Sequence, residues 1–118
     1  MSLLVSPYRR LPDGHLEWID MPEPGAELAG FESTRKTFWG STMAQQLGLR
    51  LVTELEHHDV YAEGDALAVL EHEIDILMKN LHVFPAHDGY WQQRLGNVKR
   101  AIEVARAISD GTGGVYIG

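Results

Sequence analysis

The sequence of 118 residues contains no cysteine. Disulfide bridges, zinc–thiolate sites, iron–sulfur clusters and thiol nucleophiles are therefore excluded. Long apolar runs are also missing, since nothing approaches the roughly 20 residues that span a bilayer. The N-terminus has no basic region followed by a long apolar stretch, so no signal peptide is expected. These absences predict a soluble, cytoplasmic protein.

Positive charge is missing from one long segment, residues 51–78, which contains no lysine or arginine. The net charge of the chain is −7, and this segment alone carries −8. Its acidic residues are Glu54, Glu56, Asp59, Glu63, Asp65, Glu71, Glu73 and Asp75. An acidic surface repels nucleic-acid phosphates and attracts basic proteins, metal ions or cationic ligands. DNA and RNA are therefore not expected as partners, whereas a basic protein is.

The clearest turn signal is the sequence Leu-Pro-Asp-Gly-His at residues 11–15. The segments on either side of it, 3–10 and 15–21, are predicted to form the strands of a β-hairpin. Pro7 has no N–H to donate, so it is expected to place the first strand at a sheet edge or to split it. Another strand is predicted between Phe31 and Trp39.

The segment 42–59 has two interpretations. Thr42 and Gln45 resemble a capping box, which predicts a short helix that runs to Leu47 and stops at Gly48. Residues 49–56 then alternate apolar and polar side chains, which predicts a strand. A single longer helix fits the same apolar positions. Gly48 inside that helix would cost about 1 kcal/mol relative to alanine, which favours the break.

Two amphipathic helices follow. One apolar stripe marks residues 65–81 as a helix, with Asp65 as its N-cap and Pro85 beyond its end. A second stripe marks residues 89–109, with Asp88 as the N-cap. The short connection between them makes the two helices antiparallel neighbours.

The last residues, 113–118, end in a Val-Tyr-Ile sequence that predicts a final strand in the sheet. The expected fold class is therefore α+β, with a small, mostly antiparallel sheet and an antiparallel helix pair packed on one face. A chain of this length is expected to form a single domain, residues 1–118.

The richest cluster of polar side chains lies around the two adjacent histidines. The candidate partner-binding residues are Glu54, Glu56, His57, His58, Asp59 and Glu63. Imidazole and carboxylate groups also suit Zn, Mn, Ni or Fe(II), which makes His57, His58 and Asp59 weak candidates for a metal site. Adjacent residues of a strand point to opposite faces, so the two histidines could not bind one ion there. No established metal motif is present, and no metal or other cofactor is expected.

Two further features concern the helix pair. Arg94 falls inside the apolar stripe of the second helix, where an unpaired charge would be costly, and Glu71 is the most inward acid on the first. A structural Glu71–Arg94 ion pair is therefore predicted, with Arg94 reaching the edge of the core as the alternative. Val69 and Ile76 lie away from the main stripe of the first helix and are candidates for a dimer seam.

No motif fixes a reaction or a substrate, and catalytic residues are not assigned. The first hypothesis is a small acidic binding module that contacts a basic protein. Immunity proteins and antitoxins that neutralise basic nucleases share this size and charge, which is an analogy that rests on no motif. The alternative is a small metal-assisted hydrolase that uses the region of His57, His58 and Asp59. A third hypothesis is a structural homo-oligomer subunit.

Overall fold

A computed structural model describes residues 2–21, 23–84, 89–108 and 110–118. The strands within these ranges are β1 (Ser2–Arg10), β2 (Leu16–Trp18), β3 (Leu28–Phe31), β4 (Val60–Glu63) and β5 (Gly113–Ile117). The α-helices are α1 (Thr42–Gln46), α2 (Asp65–Lys79) and α3 (Tyr90–Arg106). A π-helical turn occupies Arg35–Trp39, and 3-10 turns occupy Val52–Glu56 and Leu81–Val83. The fold class is α+β, as predicted.

The described strands form one antiparallel sheet in the order β2-β1-β5-β4. Strand β3 pairs with the first residues of β1, on the same side of β1 as β2. The predicted hairpin is confirmed, since Tyr8 lies opposite Trp18 and Arg10 opposite Leu16. The predicted C-terminal strand is also confirmed, because β5 lies between β1 and β4.

The prediction from Pro7 is wrong, because β1 is continuous and lies inside the sheet. The carbonyl of Pro7 accepts a hydrogen bond from the N–H of Ile19 at 3.0 Å, so the backbone groups of Pro7 face the β2 side. On that side of β1, the first residues, as far as Leu4, pair with β3, and the last residues, from Tyr8 onward, pair with β2. The missing N–H of the proline therefore falls in a gap between two partners.

The described helices pack on one face of the sheet. Inward side chains of the strands, such as Val5, Val115 and Ile117, are fully buried in one core with Leu70 and Ile102 of the helices. The prediction of an antiparallel helix pair is confirmed, as is its position on one face. Asp65 was predicted as the N-cap of the helix that is now α2. The N-cap is instead Gly64, and Asp65 is the first residue of the helix. Asp88, predicted as the N-cap of α3, lies outside the described residues.

Residues 31–59 differ most from the prediction. The predicted strand 31–39 is wrong, because β3 ends at Phe31 and a π-helical turn follows. The short helix is confirmed as α1, although its N-cap is Ser41, whose hydroxyl accepts from the N–H of Ala44. Residues 49–56 form neither the predicted strand nor a continuation of α1, since a 3-10 turn begins at Val52.

The carboxylate of Glu73, on α2, explains this last difference. It is buried and accepts hydrogen bonds from the backbone N–H groups of Arg50, Leu51 and Val52 at 2.9–3.1 Å. Those N–H groups would otherwise be left unpaired at the start of the 3-10 turn. A contact more than twenty residues away along the chain therefore favours a helical turn over the local alternation.

Candidate functional site

The helices that the structure describes leave one face of the sheet uncovered, and we call it the outer face. Side chains alternate along a strand, so the residues between the inward ones point to this face. Large apolar side chains are exposed there: Trp18 is 52% exposed, Tyr61 51% and Leu4 41%. Exposed apolar side chains that adjoin one another on a surface mark binding sites more often than scattered ones do.

Four aromatic rings cross this face from β2 to β4, and we call them the aromatic band: Trp18, Tyr8, Tyr116 and Tyr61. Tyr116 lies between the two exposed rings, with its ring centre 5.4 Å from that of Trp18 and 5.0 Å from that of Tyr61. Tyr8 lies below them and is fully buried. Strand register produces the band, because Trp18 is opposite Tyr8 and Tyr61 is opposite Tyr116.

The phenol groups of the two inner rings are anchored by carboxylates of the acidic segment. Tyr8 donates to Glu63 at 2.8 Å, and Arg10 donates to the same carboxylate at 2.6 Å. The hydrogen bond from Arg10 lowers the pKa of Glu63 below its usual value, and burial of Tyr8 raises the pKa of its phenol. Gly114 lies directly under the ring of Tyr8, where any Cβ would overlap it.

The second anchor is at the other end of the outer face. Tyr116 donates to Asp59 at 2.9 Å, and Arg35 donates to the same carboxylate at 2.7 Å. Arg35 lowers the pKa of Asp59, and burial, helped by the hydrogen bond to Asp59, raises the pKa of Tyr116 to about 12. Both anchors fix the rings in place, which reduces the conformational entropy that a partner must overcome.

The candidate residues from the sequence therefore separate into two groups. Asp59 and Glu63 hold the aromatic band and are already paired with arginines. His57 and His58 are exposed, and their ring nitrogens lie 3.1 Å from Glu56 and 3.5 Å from Glu54 respectively. The sequence thus identified Asp59 and Glu63 as candidates but not the tyrosine rings, Tyr116 and Tyr8, that these carboxylates hold.

The proposed metal ligands do not converge on one point. The carboxylate of Asp59 binds Arg35 and Tyr116, while His58 contacts the backbone carbonyl of Asp59 with its Nδ1 at 2.8 Å. Within residues 2–21, 23–84, 89–108 and 110–118, no three His, Asp or Glu side chains are grouped so as to hold a metal ion.

Several acids of segment 51–78 are neutralised by bases from distant elements. Besides Asp59 and Glu63, Glu71 pairs with Arg106, and Asp75 pairs with Lys99. The acids that pair with no lysine or arginine in the described part of the chain are Glu54, Glu56, Glu73 and Asp65. Since Glu73 is buried, the acids of this segment that remain for a partner are the other three, which lie in the turn before β4 and at the start of α2 after it.

The predicted Glu71–Arg94 pair is wrong. Glu71 accepts a hydrogen bond from Arg106 at 2.6 Å, and Asp75 accepts one from Lys99 at 2.7 Å. These two pairs define the register of α2 against α3, and this register does not bring Glu71 beside Arg94.

In this register Arg94 lies opposite residues 80–83, beyond the end of α2 at Lys79. Arg94 is half-buried, and its guanidinium carbon lies 4.3 Å from the ring centre of Tyr90. The charge therefore rests on an aromatic face rather than against a carboxylate of the facing helix.

The two candidates for a dimer seam lie in different environments. Val69 is 46% exposed, whereas Ile76 is half-buried and packs against the core. A dimer through this surface stays a prediction.

Sequence reasoning missed the aromatic band. The neighbouring aromatics Phe38 and Trp39, by contrast, are 2% and 0% exposed and belong to the core. The available signal was the pattern Val-Tyr-Ala and Val-Tyr-Ile in β4 and β5. In each strand apolar side chains flank one tyrosine, and alternation then places the tyrosine outside.

None of the helices in the described ranges has the length and apolar character needed to cross a membrane. Comparison of the chain with protein-family models, with curated protein sequences and with solved structures finds no match.

Proposed function

We propose that this chain is a protein-binding module that contacts a basic partner through the outer face of its sheet. The observation that carries the proposal is the aromatic band, whose exposed rings Trp18 and Tyr61 lie on the only face of the sheet that the described helices leave open. Trp, Tyr and Arg contribute most of the energy at protein interfaces, and aromatic faces bind Lys and Arg head groups.

Charge supports a basic partner. The chain carries −7, and Glu54, Glu56 and Asp65 pair with no lysine or arginine in its described part. Exposed charges of one sign raise the association rate with a partner of opposite sign. In the proposed role, Glu54, Glu56, His57 and His58 act at the rim, while Asp59 and Glu63 hold the rings. An inhibitor of a basic enzyme, of the immunity-protein or antitoxin type, is a function of this kind.

The three tryptophans allow a direct test. Trp18 is half exposed, while Trp39 and Trp91 are 0% and 7% exposed. Partner proteins are captured from cells of the native organism and titrated into the purified chain. Binding at the outer face should shift the tryptophan emission to shorter wavelength, and Trp18→Phe should abolish the shift. A shift that persists in Trp18→Phe would contradict the proposal.

Affinity supplies the second readout. Trp18→Ser and Tyr61→Ser should each weaken binding at least about tenfold, as expected for central interface aromatics. Val69→Ser is the matched control, because Val69 is similarly exposed but lies on α2, away from the outer face. Equal losses in all three variants would show that another surface binds the partner.

Steering by charge is tested separately. The association rate should fall as salt is added, because the screening length shrinks to about 8 Å at physiological ionic strength. Glu54→Lys and Glu56→Lys should reduce that rate at low salt and leave the dissociation rate nearly unchanged. An association rate that responds neither to salt nor to charge reversal would exclude steering by these residues.

A further inference from the structure

We infer that the partner contributes an extended basic strand that pairs with the open edge of β4 and so adds a strand to the sheet. The inference rests on the proposed function and names the mode of contact. Strand addition is an established way in which sheet-edged domains bind peptides, with main-chain hydrogen bonds providing affinity and alternate side chains providing specificity.

The hydrogen-bond pattern of the sheet shows which groups face this edge. Leu4 and Gly118 exchange both backbone hydrogen bonds, at 2.8 and 2.9 Å. Bonded pairs alternate along antiparallel strands, so Tyr116 of β5 also faces β1, while Val115 and Ile117 face β4. Val115 and Ile117 lie opposite Ala62 and Val60 respectively.

The other two residues of β4, Tyr61 and Glu63, therefore direct their N–H and C=O groups away from β5. No strand in the described part of the chain pairs with them there. Together they offer two donors and two acceptors in an extended geometry. An exposed edge of this kind is a template for another strand.

The side chains next to the edge match this mode. Tyr61 is 51% exposed on the outer face, whereas its neighbours Val60 and Ala62 point into the core. An added strand would lie about 4.8 Å from β4. Its outward side chains would then contact the ring of Tyr61 at the edge of the aromatic band.

Charge determines what kind of strand fits. Glu54 and Glu56 lie in the Val52–Glu56 turn that leads into β4, and Asp65 begins the helix that follows β4 after Gly64. A second copy paired on this edge would bring the same acids against them, and like charges across a strand pair are destabilising. A strand that carries lysine or arginine would instead meet opposite charges on both sides.

A short peptide of alternating lysine and valine is the probe, and amide hydrogen exchange measured by NMR is the readout. The amides of Tyr61 and Glu63 should exchange at least about tenfold more slowly with peptide bound, as hydrogen-bonded amides do. The amides of Val60 and Ala62, which already bond to β5, should change little and serve as internal controls. A peptide of the same charge, N-methylated along the edge that pairs, should lose most of the affinity.

Three results would contradict the strand inference, and each has a different consequence for the proposed function. If both peptides bind equally and shift the emission of Trp18 without protecting the Tyr61 and Glu63 amides, the strand inference is wrong and the outer face remains the docking surface. If neither peptide binds and the captured partner also leaves Trp18 unchanged, both proposals fail. If the chain alone sediments as a dimer with the same two amides protected, a second copy occupies the edge and the basic strand is excluded.

Discussion

At the scale of single residues, Glu73 is the one acid that is buried in the described part of the chain. Its carboxylate accepts three backbone N–H groups at the start of the Val52–Glu56 turn and is 5% exposed. This turn leads into β4 and the His57–His58 pair, so Glu73 also positions the candidate binding surface. It does so from α2, on the opposite side of the core from the outer face.

Glu73→Gln should lower the free energy of unfolding by about 2 kcal/mol. The amide has nearly the same shape, but its NH₂ group faces N–H donors and leaves at least one of them unpaired in the interior. Urea denaturation measures the change. Glu71→Gln is the control on the same helix, because its pair with Arg106 is partly exposed and should contribute less than about 1 kcal/mol. Equal effects of the two variants would contradict the capping role.

At the scale of elements, α3 and β5 approach each other unusually closely. A Cβ on Gly113 would overlap the backbone carbonyl of Ala105 near the end of α3. Backbone cannot rotate away as a side chain can, so glycine at this position allows the sheet to dock against the helix. The approach also fixes where β5 begins, and therefore which of its side chains reach the outer face.

Gly113→Ala should destabilise the protein by roughly 1–3 kcal/mol, the usual cost of forcing extra volume into a packed contact. Gly96→Ala is the matched control, since Gly96 lies within α3 and an added Cβ there meets nothing within 4 Å. Alanine in a helix interior is favoured over glycine, so this variant should be more stable by about 0.5–1 kcal/mol. Thermal unfolding measures both changes, and the two variants should shift the melting temperature in opposite directions.

At the scale of the whole molecule, paired carboxylates join elements that are distant in the sequence. Asp59 binds Arg35, Glu63 binds Arg10 of β1, and Asp75 binds Lys99 across the helix pair. In each case the hydrogen bond from the base lowers the pKa of the acid. Ionisation of these groups therefore adds to the stability of the fold, by a modest amount because the pairs are partly exposed.

Stability should consequently fall in acid. A carboxyl group whose pKa is lower in the folded state contributes stability above its unfolded pKa, about 4, and loses it as the pH falls through the folded value. The double variant Asp59→Asn, Glu63→Gln should be less stable at neutral pH and lose less on acidification. Urea denaturation at several pH values measures both. Glu54→Gln removes an acid without a lysine or arginine partner in the described ranges and should retain the acid dependence of the native chain.

The elements that local patterns determine were predictable from the sequence. The β1–β2 turn was predicted from the backbone preferences of Pro12, Asp13 and Gly14. The two long helices were predicted from apolar side chains repeated along one side, the side that is buried. The C-terminal strand follows from three β-forming residues. None of these requires knowledge of a distant partner, which is why they agree with the structure.

Only the tertiary structure decided the rest, because it depends on contacts between residues far apart in the chain. Residues 49–56 alternate like a strand, yet Glu73 holds their start in a helical turn. The pair of Glu71 with Arg106 follows from helix register, which the sequence does not contain. The aromatic band likewise requires the pairing of β2, β1, β5 and β4, since alternation shows which side chains share a face of one strand but not which strands are neighbours.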